Sequence, residues 1–353
     1  MEYRYVGRSG LQVSTLCLGT MMFGRFGNRD QDECVNIIHR SLDAGINFID
    51  TADVYSAGES EEIVAKALVG GRRDEVILAT KCYFSVEDGP LAADPPPNSY
   101  GASRRHVIRA CEASLRRLGT DWIDLYQVHR PDFRTDIDET LAALSQLVQQ
   151  GKVRAIGSSS FPAPAIVEAQ WVAERRCRER FLCEQPQYSI FVRGIERDVL
   201  PTCQRYGMGV IVWSPLNAGW LSGKRRRDTE GSGISSRRSH LMPGLFDVTN
   251  GGTATKFDLL EQLEAIATEI GLSLPQLAVA WTLEHPAVSS AIVGPRTLEH
   301  LAGLLGADEN RLPPEALDRI DELVQPGTIV SSSDDRRIEP ALLDSRLRRR
   351  TAH

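Results

Sequence analysis

Apolar and polar positions along the chain change period in a regular way. Eight short apolar or β-branched runs, at 15–18, 46–49, 76–80, 123–128, 153–156, around 183–185, 209–213 and 291–293, alternate with amphipathic stretches. In those stretches, 32–44, 59–68, 103–118, 137–150 and 257–270 among them, apolar residues recur at steps of three and four, which places them on one face of a helix. Gly45, Gly119, Gly151 and Gly271 stand where four of these helices should stop, the position at which a left-handed residue closes the last turn. Strand and helix in alternation imply parallel strands joined by crossover helices. Eight repeats over about 300 residues favour a closed α/β structure, a (β/α)8 TIM barrel, over an open doubly wound sheet. No G-x-G-x-x-G follows the first run, so the phosphate loop of the open-sheet alternative is missing. Residues 3–13 read as two short strands around a Gly/Ser turn, a hairpin suited to closing the barrel bottom.

Two segments break the rhythm: 87–101, with four prolines, and 223–252, rich in Gly, Ser and Arg. Both follow expected strand C-termini, where barrel enzymes build their active sites, and long irregular loops tend to be functional. They are read as substrate or cofactor lids, with plain mobile connections as the alternative. The expected division is one barrel domain over 1–324 and a C-terminal tail, 325–353, whose role is not readable.

Composition narrows the partners. The chain has 353 residues, 42% hydrophobic, with Lys+Arg 41 against Asp+Glu 47 and a net charge of -6. Basic clusters are short, Arg225-Arg226-Arg227 and 346–350, so no field draws in a phosphate backbone and nucleic acid is not expected as a partner. No stretch reaches the roughly 20 apolar residues that span a bilayer, and the first residues carry no apolar secretory region. A cytoplasmic protein without a membrane partner is expected. The 7 Cys are scattered and contain no Cys-x-x-Cys, which argues for reduced thiols.

Polar groups stand at four consecutive-looking strand ends: Asp50, Lys81, His129 and the pair Ser158-Ser159. In a barrel these ends share one mouth, and Tyr55, five positions past Asp50, can lean back over it. Each has a plain alternative. Asp50 could cap the next helix, Lys81 could be a strand-end charge, and His129 a structural histidine. As a set they form acid–base machinery without a metal.

These residues carry a family resemblance. Gly45-Ile46-Asn47-Phe48-Ile49-Asp50-Thr51-Ala52-Asp53-Val54-Tyr55, Ala79-Thr80-Lys81 and Gln127-Val128-His129-Arg130-Pro131-Asp132 resemble signatures of the aldo/keto reductases, a likeness extending from Tyr3 to about Asp321. Residues 7–14 and Leu18-Gly19-Thr20-Met21 are similar to the branch holding bacterial reductases and potassium-channel β subunits. The resemblance implies hydride transfer from NADP(H) to an aldehyde or ketone, a small-molecule carbonyl substrate, with Asp50, Tyr55, Lys81 and His129 as the catalytic set. Tyr55 would be the general acid, its phenol drawn toward neutrality by the Lys81 ammonium; Asp50 would fix Lys81, and His129 would orient the carbonyl oxygen. By the same resemblance Gly19, Thr20, Met21 and Asp50 edge the cofactor, Ser158, Ser159 and Gln185 meet its carboxamide side, and Trp213 stacks on the nicotinamide. Ser214, Pro215, Leu216, Gly219, Leu221, Gly223 and Lys224 match the pyrophosphate loop. Gly294, Arg296 and His300 match the adenosine-phosphate site, where a helix N-terminus and a guanidinium suit a 2′-phosphate. Ser160, His300 and Leu304 replace the family's usual Asn, Gln and Asn, which touches the carboxamide and adenine contacts. Phe23, Tyr83, Phe84, Trp122 and Phe191 are candidates for the substrate pocket.

Other classes are weighed on the same residues. A cofactor-binding regulatory or scaffold protein of this fold would keep the tetrad and show little turnover. A metal-dependent hydrolase is disfavoured because the 7 His contain no H-x-H or H-E-x-x-H, spacings that hold zinc. A Schiff-base lyase would need Lys81 desolvated and free of Asp50. Oligomerisation is possible and not inferable.

Overall fold

Tyr3–Tyr5 (β1) and Gln12–Ser14 (β2) pair antiparallel, and the hairpin seats against the barrel floor by backbone contact. A Cβ at Gly7, where φ is 57°, would meet the Gly207 carbonyl and the Gly209 amide at 2.4 Å each, so only glycine allows this approach. Val6 and Val13 then plug the bottom, packing on Cys17, Phe48, Ala79, Leu125, Ala155, Cys183 and Ile211 inside the barrel. The expected role of the hairpin is thus realised. The computed structural model describes residues 1–89, 95–224, 243–247, 249–336 and 344–349.

The strands Leu16–Gly19 (β3), Phe48–Asp50 (β4), Ile77–Cys82 (β5), Ile123–Val128 (β6), Val153–Ser159 (β7), Cys183–Gln185 (β8), Gly209–Val212 (β9) and Val288–Val293 (β10) form a closed barrel. Every neighbouring pair is parallel, which confirms the (β/α)8 expectation. Around it run Gln31–Asp43 (α1), Glu59–Ala67 (α2), Arg104–Leu118 (α3), Ile137–Gln149 (α4), Ala163–Arg176 (α5), Val199–Tyr206 (α6), Gly251–Glu269 (α7), Leu274–Glu284 (α8), Leu298–Ala302 (α9) and Pro314–Leu323 (α10). A second, larger apolar cluster fills the layer between strands and helices. Among the described residues no single helix is long and apolar enough to cross a membrane.

Several boundaries differ from the sequence reading. The strands β5 and β7 run on to Cys82 and Ser159, because their polar ends keep ladder partners: Lys81 opposite Gln127 and Ser159 opposite Gln185. The strand at 46–49 starts later, since Asn47 bonds Ser14 through side chains in both directions. The loop expected to reach 252 ends at Asn250, whose side chain caps α7 on the Gly252 amide. Residues 90–94, 225–242 and 248 of the two lid candidates lie outside the described residues. The tail packs on the loop after β8: Arg193 N donates to Thr328 O (2.8 Å) and Val330 N to Phe191 O (3.0 Å), so residues 328–330 run beside that loop.

Candidate active site

Strand register brings the four tetrad residues to one mouth. Asp50 ends β4, Lys81 is the last residue but one of β5, His129 directly follows β6, and side-chain alternation points all three inward above Phe48, Ala79 and Leu125. Lys81 Nζ lies 2.5 Å from Asp50 Oδ1, 2.8 Å from the Thr51 carbonyl and 3.4 Å from Tyr55 Oη. Tyr55 returns over the mouth because the three residues after it, Ser56, Ala57 and Gly58, have φ of 52°, 55° and 93°, a left-handed run that costs backbone energy in the first two. Ser56 pins that turn by donating to the Phe23 carbonyl at 2.7 Å. His129 stands edge-on to Tyr55, ring centroids 5.9 Å apart. Asp50 is spent on this pairing and on no helix cap; Gln185 Nε2 (2.8 Å) and Gln127 Nε2 (3.3 Å) donate to its Oδ2.

The electrostatics assign protonation states. Burial pulls the Lys81 ammonium down, but the Asp50 carboxylate and Tyr55 together hold it above its usual value, so Lys81 is charged. Burial, then Lys81 and Arg130, push the His129 imidazole well below its ordinary value; it is neutral, and its buried Nδ1 has no hydrogen-bond partner. Tyr55 departs from the sequence expectation. Burial raises its phenol, Lys81 pulls it back, and Asp50 raises it again, leaving it above the ordinary value. The ammonium that was to lower it lies 2.5 Å from a carboxylate, which cancels much of its field.

The cofactor candidates lie around the same mouth in several conformations. Gly19 ends β3 beside Asp50, and a Cβ at Gly294 would meet the Gly19 carbonyl at 3.7 Å. Thr20 is buried with its hydroxyl on the Asp50 carbonyl and on Ser60, and Met21 is exposed. Ser159 donates to the Gln185 carbonyl at 2.9 Å. Ser158 alternates to the other side of β7, where its Oγ donates to Glu184 at 2.5 Å. Trp213 is half-buried and follows β9; Pro215 is buried behind it. In the loop from Ser214 to Gly223, Ser214, Asn217, Ala218, Gly219 and Gly223 all have positive φ. The amides of Asn217, Gly219 and Leu221 donate to the Ser214 and Leu216 carbonyls, and that of Ala218 to Ser214 Oγ, so these donors face the turn itself. Gly219 has open space where a side chain would stand. Lys224 Nζ lies 2.9 Å from His300 Nε2. Arg296 is exposed and its carbonyl accepts from Asn28. The helix after it, α9, is only 5 residues long, so the helix-dipole contribution expected there is small. The basic run 225–227 lies outside the described residues.

Against known proteins, the model of the aldo/keto reductase family matches residues 15–325. The chain belongs to the aldo/keto reductase family. It is 38% identical over 329 residues, 92% of this chain and 96% of the other, to the uncharacterized oxidoreductase YrpG of Bacillus subtilis. It is also 38% identical over 332 residues, 92% and 93% covered, to a candidate voltage-gated potassium channel subunit beta of Schizosaccharomyces pombe. The versiconal hemiacetal acetate reductase of Aspergillus parasiticus is 34% identical over 354 residues, covering 93% and 98%.

Aldo/keto reductases are oxidoreductases that use nicotinamide cofactors, and the residues present fit such a group. Lys224, Arg296 and His300 make a positive corner in which burial, then Lys224 and Arg296, hold the His300 imidazole below its usual value; an anion there would relieve that crowding. Two site residues of this aldo/keto reductase were not singled out from sequence. Gln127, inward-facing by counting back two from His129, bonds both Asp50 and Gln185. Glu184, fully buried behind the mouth, had no such signal because its side chain points the other way. Of the pocket candidates, Phe84 packs on the His129 ring (5.2 Å) and Tyr83 on Phe84 (5.1 Å). Phe23 and Phe191 are core. Trp122 sits just before β6, at the opposite end of the barrel, under the Arg73 guanidinium at 4.6 Å, the rim that its place before the run at 123–128 already implied.

Proposed function

We propose that this chain is an NADP(H)-dependent reductase of aldehydes or ketones, with Tyr55 as the proton donor. The observation that carries the reading is the Tyr55, Lys81, Asp50 and His129 cluster, in which a neutral phenol and a neutral imidazole face one mouth beside a charged ammonium. A bound reduced nicotinamide supplies the hydride. The chain supplies the rest. The His129 ring orients the carbonyl oxygen, the Lys81 charge stabilises the negative charge that develops on it, and the Tyr55 hydroxyl delivers the proton. Asp50 keeps Lys81 charged and in place. Gln185 retains its Oε1 for a carboxamide amide, since its Nε2 is occupied by Asp50 and Gln127. Preference for NADP(H) draws on the Lys224, Arg296 and His300 corner, because a guanidinium forms charge-assisted bonds with a 2′-phosphate that NAD lacks.

A second reading, a cofactor-binding regulatory subunit with little turnover, draws on the similarity to the candidate channel subunit. One experiment separates them: NADPH and NADH titrations beside turnover of a reactive aromatic aldehyde, for the wild type and Tyr55→Phe. The proposal expects wild-type turnover, tighter binding of NADPH than NADH, and a variant that binds NADPH normally while losing roughly 100-fold or more in rate. Unchanged turnover in Tyr55→Phe rejects the acid assignment, and a wild type that binds NADPH without turnover favours the regulatory reading.

A further inference from the structure

Arg130 follows His129 at the same mouth. Its Nη1 donates to the His129 carbonyl at 2.8 Å and to Ser160 Oγ at 2.9 Å. Its Cζ lies 5.9 Å from the Trp213 ring centroid and 6.0 Å from that of Phe84, so two bonds and two rings hold the guanidinium in place. Among the described residues no carboxylate lies within ion-pair distance of it, and Nε and Nη2 make no hydrogen bond.

Among the described residues, the nearby carboxylates are engaged elsewhere. Lys81 is already matched by Asp50. The Glu184 carboxyl on β8 acts on Arg130 through its charge, but its two oxygens accept from Ser158 Oγ (2.5 Å) and the Phe161 amide (3.0 Å), and burial pushes its carboxyl up to about 8. Arg336, from the C-terminal segment, acts on Arg130 as a positive charge and on the Asp334 carboxyl as well. A guanidinium half-buried at this mouth and without a carboxylate partner among the described residues is unfavourable, and its unused fork of donors matches a planar carboxylate.

We propose that the mouth selects carbonyl substrates bearing a carboxylate, and that Arg130 binds this second group beside the reacting carbonyl. This deepens the carbonyl-reduction reading and rests on it for turnover, whereas the anion site itself can be measured by binding alone. Wild type, Arg130→Met and Arg130→Lys, each loaded with NADPH, are compared on 3-carboxybenzaldehyde and its methyl ester. Benzoate and benzamide binding to the same loaded proteins is titrated by calorimetry. Wild type should prefer the acid over the ester by roughly tenfold or more in kcat/KM. Arg130→Met should lose that preference, falling roughly 10- to 100-fold further on the acid than on the ester, with a parallel loss of benzoate but not benzamide affinity. Arg130→Lys, which keeps the charge without the fork, should fall between them. Equal losses on acid and ester would overturn the proposal and make Arg130 a mere support for Ser160 and the His129 carbonyl. Weakened NADPH binding with an unchanged acid-to-ester ratio would overturn it in favour of a cofactor contact. No turnover of either aldehyde, with benzoate binding still dependent on Arg130, would defeat the reductase reading and leave the anion site standing.

Discussion

Lys81 serves two neighbours that pull in opposite directions, and the distances say which it serves first. Its Nζ is 2.5 Å from Asp50 and 3.4 Å from Tyr55, so the carboxylate takes most of the charge and burial leaves the phenol above its ordinary value. Lys81 still pulls that phenol down relative to what burial alone would give. Lys81→Met should therefore raise the Tyr55 pKa further. In alcohol oxidation, which needs the phenolate as base, the rising limb of the pH–rate profile should move to higher pH, and the rate should drop by roughly 100-fold or more. Oxidation profiles of wild type and variant, followed by NADPH formation, check this; an unmoved limb would remove Lys81 from the control of Tyr55. These residues were legible in sequence because a charged or phenolic group at the end of an apolar run has few plain explanations when three consecutive strands repeat it. Arg130, within the run from Gln127 to Asp132, carried no such signal, since no sequence pattern reveals that a cation has no carboxylate partner among the described residues.

At the scale of the element, side-chain alternation explains both what was readable and what was not. The eight strands announce themselves by short apolar runs. By contrast, α8 escapes a period search because Leu277, Ala278, Val279, Ala280, Trp281 and Leu283 are all buried, leaving no polar face to set a period. Alternation also separates Ser159, at the mouth, from Ser158, which joins β7 to β8 through Glu184 on the helix side. Burial is the largest cause that raises the Glu184 carboxyl from 4.5 to about 8. An acid whose folded pKa is raised contributes its stability below the unfolded value and loses it as pH climbs toward the folded one, here between about 4.5 and about 8. At about pH 7 the penalty is on the order of 3 kcal/mol. Glu184→Gln keeps an acceptor for the Phe161 amide and cannot ionise. Its stability relative to wild type should therefore improve by a few kcal/mol from about pH 5 to about pH 8, measured by denaturant unfolding across that range. Parallel pH curves for the two proteins would show that Glu184 titrates alike in the folded and unfolded states.

Over the whole molecule, the segment past the family match at 325 reaches the loop assigned to the cofactor. Lys256 on α7 and Asp334 are both buried, 2.6 Å apart, and Lys256 Nζ also donates to Asn217 Oδ1 at 3.1 Å and lies 4.9 Å from the Trp220 ring centroid. Asn217 and Trp220 belong to the turn between Ser214 and Gly223, so one ion pair ties the tail, a barrel helix and that turn together. The sequence showed only a tail with serines, acids and a basic end, because a contact between residues 78 positions apart leaves no local period. A buried ion pair adds little over a well-packed apolar replacement, but removing one partner strands the other charge. Asp334→Ala should thus cost about 3–5 kcal/mol and, by loosening the Asn217 turn, weaken NADPH binding. The double variant Lys256→Met, Asp334→Leu should recover most of the stability, since no lone charge remains, yet not the hold on Asn217, so its NADPH affinity should stay reduced. Thermal unfolding and NADPH titration on the three proteins test both parts. An Asp334→Ala protein with wild-type stability would show that the pair is relaxed or hydrated in solution. A double variant with full NADPH affinity would show that the turn holds its shape without the tail.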